Sequence, residues 1–140
     1  MTSSNHDLAR RFFAALSAGR VPDDLLADDM TAWTTTSGES PRARYQGGVA
    51  LLGSLFDGGF AYTIDSLSAE DDRVAAEVHA EGRLHDGRIF TNRYVFVLRV
   101  RDGRIVSVAE HFNPGPVREV LGPLIQAAIA RHTPELRRYL

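Results

Sequence analysis

The sequence predicts an α+β fold, with helices packed on one face of a long, bent, largely antiparallel sheet. Helical periodicity is confined to the two ends of the chain, and four strand-like stretches, 60–69, 73–84, 88–100 and 104–112, fill the space between. Asp71-Asp72, Asp86-Gly87 and Asp102-Gly103 supply hairpin turns at their joints. Strands of about a dozen residues exceed the usual ~5–6, so the sheet must twist and curve. Helices ahead of a meander put the helical layer on one sheet face.

In chain order, Ser3, Ser4 or Asn5 can cap a first helix whose Leu8, Phe12, Ala15 and Leu16 form a core stripe, and Gly19 ends it. Pro22 suits the first turn of a short second helix, 22–26. Residues 30–36 are β-branched and aromatic, which predicts a strand, and 37–46 read as a polar loop around Pro41. Gly47 and Gly48 precede a third helix with Val49, Leu52, Leu55 and Phe56 at helical spacing, closed by Gly58-Gly59. Asn113-Pro114-Gly115-Pro116 stops the last strand. A C-terminal helix follows, with Val117, Val120, Leu121, Leu124, Ile125, Ala128 and Ile129 apolar. No repeat or linker divides the chain, so residues 1–140 are expected to form a single domain.

Composition narrows the chemistry. A formal net charge of -2 argues against a nucleic-acid partner or an anionic membrane. No apolar run approaches the ~20 residues of a membrane span, and the first residues lack a signal-peptide pattern, so a cytoplasmic location is expected. The absence of cysteine excludes thiolate nucleophiles and thiolate metal sites. All basic residues are Arg, which excludes Schiff-base lysines and a phosphate-loop lysine. What remains is chemistry by carboxylate, imidazole, phenol and bound water, with no cofactor implied.

The last strand carries the sharpest signal. Val106, Val108, Glu110 and Phe112 share one face because side chains alternate along a strand. A carboxylate on an apolar face is costly unless paired or protonated, and desolvation raises its pKa toward the range useful for acid–base work. The alternative is an outward Glu110 paired with Arg93.

Turn lengths set the neighbours. If Asp86-Gly87 is a two-residue turn, His79 lies opposite Tyr94. If Arg101-Asp102-Gly103 is a three-residue turn, Tyr94 lies opposite Glu110. His79, Tyr94 and Glu110 then form a catalytic row, sharing their face with Glu77, Glu81, Asn92, Phe96 and Phe112. A two-residue turn at Asp102-Gly103 would put His111 in place of Glu110. The longer turn is preferred because it joins the apolar sets of the two strands. Trp33 and Phe12 are expected as further pocket wall. Glu77-x-His79-x-Glu81 has metal-compatible spacing, but no further cluster supports it and no metal is expected.

Three segments, Leu26-Ala27-Asp28-Asp29-Met30-Thr31-Ala32-Trp33, Asp102-Gly103-Arg104-Ile105 and Glu110-His111-Phe112-Asn113-Pro114, together with the element order, resemble the nuclear transport factor 2/ketosteroid isomerase superfamily, most closely its SnoaL-like polyketide cyclases. The resemblance implies a cone-shaped molecule: a curved antiparallel or mixed sheet, three N-terminal helices on its concave face, a C-terminal helix, and a deep pocket between the layers. It also implies a dimer. In SnoaL-like cyclases and limonene epoxide hydrolases a carboxylate on the last strand does acid–base work, and Glu110 matches that position. The hydrolases' Arg and Asp on an earlier strand correspond to Glu77 and His79, so that triad is absent. Ketosteroid isomerases place a base near what is here Thr34 and an acid on strand 88–101, which contains none, so that activity is not expected.

Three functions follow as expectations. The first is an enzyme, a cyclase or isomerase, using Glu110, His79 and Tyr94 for acid–base catalysis on a small, lipophilic, polyketide-like carbonyl compound. The second is a non-catalytic ligand-binding dimeric module, and the third is water addition to an epoxide. A homodimer is expected through the convex sheet face, where Val74, Ala76, Val78 and Ala80 would need cover if Glu77, His79 and Glu81 face the pocket.

Overall fold

A computed structural model of the chain describes residues 2–132. Helix α1 (Thr2–Ser17) is followed by strands β1 (Leu26–Thr34) and β2 (Gly38–Pro41). Helix α2 (Arg42–Ser54) and strands β3 (Phe56–Glu70), β4 (Arg73–Leu84), β5 (Ile89–Arg101) and β6 (Arg104–Phe112) come next. The C-terminal helical stretch comprises a single turn α3 (Pro114–Pro116), a π-helical turn (Val117–Leu121) and α4 (Gly122–His132). The six strands form one curved mixed sheet in the order β2-β1-β6-β5-β4-β3. The expected α+β architecture is present. Among the described residues no helix is long and apolar enough to cross a membrane.

Several elements differ from expectation in extent. The second helix shrinks to a 3-10 turn, Asp23–Leu25, because Leu26 is already extended and buried, pairing with Ile105 of β6 in a parallel ladder. Residues 37–46 are not one loop: they contain β2, which pairs with β1, and the first turn of α2. Pro41 sits immediately before α2 in extended conformation, which suits a residue with fixed φ and no N–H. Gly47 and Gly48 therefore lie inside the helix. Strand β3 begins at Phe56, and its pairing with β4 slips between Asp57 and Ala61. Gly58 and Gly59, at φ 82° and 90°, make that bend. The stacked rings of Phe56 and Phe60, 4.5 Å apart, fold back over Gly82, where a Cβ would come within 2.6 Å of Phe56 Cδ1.

The registers decide which side chains face the helices. At the β4–β5 joint, Leu84 pairs with Arg88 through N–H···O of 2.8 Å, so His85-Asp86-Gly87 is a three-residue turn. This one-residue shift from the expected pairing turns every side chain of β4 over. Val78 lies opposite Tyr94 and His79 opposite Arg93. Val74, Ala76, Val78, Ala80 and Leu84 become core, while Glu77, His79 and Glu81 point to the outer face. The apolar row expected as a dimer surface is thus the interior.

The β5–β6 joint departs twice, and the two departures cancel. Arg101 pairs with Arg104 across a two-residue turn whose Asp102 and Gly103 both have positive φ, 53° and 76°. That register alone would place His111 inside. A β-bulge then inserts one extra residue in β6: Val100 pairs with Ile105 but Arg99 with Ser107. Ile105 and Val108 both become buried, and Phe96 comes to lie opposite Glu110. Glu110 therefore faces the helices, through a bulge rather than a longer turn.

Candidate active site

Between α2, the concave side of the sheet and the C-terminal helical stretch lies a cavity of about 160 Å³. Glu110 and Phe112 reach it from β6, Tyr94 from β5 and Tyr62 from β3. On α2, Tyr45, Val49 and Leu52 recur at spacings of four and three, one helix face, and that face closes the cavity. Leu121 and Ile125 cover it from the C-terminal side.

Thr35 holds the reactive end of β6 in place. Its N–H donates to the Glu110 carbonyl at 3.1 Å, its hydroxyl donates to the same oxygen at 3.3 Å and accepts from Phe112 N–H at 3.1 Å. The Glu110 backbone is thereby fixed with its side chain directed inward.

Burial pushes the Glu110 carboxyl up to about 7, opposed only by the nearby Tyr45 hydroxyl, which favours the ionised form. Tyr45 is 6% exposed, and its Oη has no hydrogen-bond partner of ordinary geometry among the described residues. Desolvation and the neighbouring carboxylate hold the Tyr45, Tyr62 and Tyr94 phenols well above their usual range, so all three are neutral donors. The site combines a carboxyl half-ionised near neutral pH with neutral phenolic O–H groups in an apolar enclosure. That combination suits proton transfer to and from carbon or oxygen.

Of the residues singled out in the sequence, Glu110, Tyr94 and Phe112 line this cavity. Phe12 and Phe96 are fully buried and pack edge-to-face behind it, with centroids 6.1 Å apart. Asn92 lies at its margin beside Tyr94 and reaches the Asn113 carbonyl at 3.5 Å. His79, Glu77, Glu81 and Trp33 are corrections: none is in the pocket. His79 Nδ1 pairs with Asp65 at 2.8 Å on the outer face, and Glu77 accepts from Ser66 at 2.7 Å beside it. Glu81 is exposed there, because the β4 register puts the charged row in solvent and the apolar row in the core. Trp33 alternates with buried Ala32, so its ring lies outside, 4.9 Å from His111. Sequence periodicity misses Tyr45 because 37–46 has the composition of a polar loop; its spacing to Val49 and Leu52 is the available signal.

A wider cleft of about 740 Å³ lies open between α2, the β4–β5 turn and α4, but two of its polar groups, His85 and Asp86, are already bonded to Ser54 and Arg88. Among the described residues no cluster of three or more His, Asp or Glu could hold a metal ion.

Comparison with known proteins agrees with this fold. The profile of the SnoaL-like domain matches residues 9–108 and ends short of Glu110. Over 56 residues the chain is 36% identical to YesE, an uncharacterised protein of Bacillus subtilis (strain 168). That alignment covers 39% of this chain and 38% of YesE. AclR from Streptomyces galilaeus, a proposed hydroxylase, superimposes with TM-score 0.74 at 19% identity, covering 87% of each chain. IdmH from Streptomyces antibioticus, a proposed polyketide cyclase, superimposes with TM-score 0.72 at 21% identity, covering 84% of this chain and 97% of IdmH. These likenesses establish the nuclear transport factor 2-like fold.

Proposed function

The chain belongs to the SnoaL-like domain family, and we propose that it is a cofactor-independent cyclase or isomerase that moves protons on a small lipophilic carbonyl compound. The observation that carries this reading is Glu110: a carboxyl enclosed in an apolar cavity, raised to about 7, beside the Tyr45 hydroxyl. In its ionised form Glu110 takes a proton from the carbon next to a carbonyl. The C–H electron pair becomes the enolate double bond, and Tyr45 donates a hydrogen bond to the oxygen on which charge develops. A conjugated enolate then takes the proton back from Glu110 at a different carbon, or the α-carbon attacks a second carbonyl. In the latter case a carbon–carbon bond forms and Glu110 returns its proton to the new alkoxide. Tyr45 takes the polarising part that the sequence suggested for His79, with Tyr94 as a second donor. A positioned acid–base group contributes ~10²–10⁴-fold and a lost oxyanion donor costs ~10²–10³-fold.

The test is hydrogen–deuterium exchange at the α-carbon of small aryl ketones and β-keto esters, followed by NMR. Glu110→Gln keeps the shape and is expected to lower exchange by ~10²-fold or more. Equal exchange by the wild type and a folded Glu110→Gln variant would refute the assignment. Water addition to an epoxide is disfavoured, since the positions that would hold its Arg and Asp are Glu77 and His79 on the outer face.

We also propose a homodimer through the outer sheet face. Its support is not the β4 row but Trp33 and Val95, 38% and 42% exposed and joined through His111. Exposed large apolar groups in one patch mark an interaction surface.

A further inference from the structure

The mouth of the cavity, formed by the β1–β2 connection and the first turn of α2, has a chemistry that Glu110 does not use. Arg44 lines the cavity there and is half-buried. Arg42, two positions earlier, is paired with Asp28 at 3.2 Å, whereas Arg44 has no ion pair or hydrogen bond among the described residues. Nor does it serve Glu110, whose carboxyl is influenced only by burial and Tyr45. A guanidinium at the edge of an apolar cavity, with no ion pair of its own among the described residues, is available to an anionic group of a bound molecule. Ser40 lines the same stretch, is 8% exposed, and its hydroxyl has no partner among the described residues. Tyr45, the next residue after Arg44, carries a buried hydroxyl with no hydrogen bond of ordinary geometry among the described residues. The first turn of α2 adds backbone N–H groups, and no side chain caps them.

We infer that the pocket takes a substrate bearing a carboxylate, held at the mouth by Arg44 and the Ser40 hydroxyl while the apolar remainder enters toward Tyr45 and Glu110. A guanidinium fork matches a carboxylate in two parallel hydrogen bonds. A single Arg balances a monoanion, and a dianionic phosphate would be left with uncompensated charge in a cavity that also holds a carboxyl group. Size narrows the class further. At about 160 Å³ the cavity is comparable to one of ~150 Å³ that admits benzene, so the enclosed part of the substrate is about one ring. The inferred class is a one-ring carboxylic acid. This rests on the cavity being the ligand site, as the proposed function has it, but not on Glu110 transferring a proton.

The experiment is calorimetric titration with benzoate, phenylacetate and cinnamate, each beside its methyl ester. It is run at pH 6, where these acids are ionised and Glu110 is mostly protonated. At least one acid is expected to bind tenfold or more tightly than its ester. Arg44→Met, which keeps the apolar stem, is expected to abolish that preference and leave ester binding unchanged, and Arg44→Lys to restore part of it. Equal binding of acid and ester in every pair, equal loss of both in Arg44→Met, or no binding of any probe would overturn the inference. Glu110→Gln separates the two readings. An acid preference that survives there, together with α-proton exchange that is also unchanged, would uphold the carboxylate site while refuting the proton-transfer role.

Discussion

Replacing Glu110 by Gln should make the protein more stable, and increasingly so as pH rises. In the folded chain the carboxyl is held at about 7 against an ordinary value of 4.5, because burial penalises its charged form. A raised carboxyl pKa means that the folded state binds the proton more tightly than the unfolded chain does. The associated stability is complete below pH 4.5, declines as pH climbs from there through 7, and is gone above it. At ~1.36 kcal/mol per pKa unit, the gap between the two values corresponds to about 3 kcal/mol. Gln fills the same space, carries no charge at any pH and escapes that loss. Urea unfolding of wild type and Glu110→Gln should therefore coincide within ~0.5 kcal/mol near pH 4.5 and separate by up to about 3 kcal/mol at pH 8, with the variant the more stable. Every other titrating group is common to both proteins, so the pH dependence of the difference isolates Glu110. A difference that stays flat between pH 5 and 8 would refute the burial of this carboxyl. A stability gain paired with a loss of turnover would mark a site maintained at a cost to the fold.

Tyr45→Phe removes a buried hydroxyl that makes no hydrogen bond of ordinary geometry among the described residues, so stability should change by less than ~1 kcal/mol. The Glu110 titration seen by carbon-13 NMR should move upward, because the one interaction favouring the carboxylate is gone. His79→Ala on the exposed outer face should leave α-proton exchange unchanged and cost no more than ~1 kcal/mol in urea unfolding, as expected for an exposed polar contact. Gly82→Ala should destabilise by about 1–3 kcal/mol, since its Cβ would meet both the Phe56 ring and the Gly59 carbonyl, 2.6 and 3.0 Å away. Trp33→Lys should reduce the light-scattering mass at micromolar concentration to that of one chain, 15.4 kDa, and an unchanged dimer mass would locate the interface elsewhere.

Much was legible in the residues alone, because it depends on local periodicity. The stripe of α1, the β4–β5–β6 meander, the Asp-Gly turns and a carboxylate on an apolar strand face all follow from spacing that any window of the chain displays. The alternation of Val74, Ala76, Val78 and Ala80 with Glu77, His79 and Glu81 also held the right answer for β4. A two-residue turn at Asp86-Gly87 would put that row outward, but burying it outweighs the preference of one turn type. What only the tertiary structure decided are matters of distant pairing. The parallel ladder of β1 on β6 drew Leu26 into a strand and shortened the second helix to a single turn. The bulge at Val106 set Glu110 inward because both Ile105 and Val108 had core to fill, which no alternating pattern in β6 announces. Tyr45 and Arg44 reach the pocket because β2 and the start of α2 form within a polar stretch, where hydrophobic periodicity is weak. Side chains meet across a cavity according to how the layers pack, and that packing is settled by the whole core rather than by the residues beside each one.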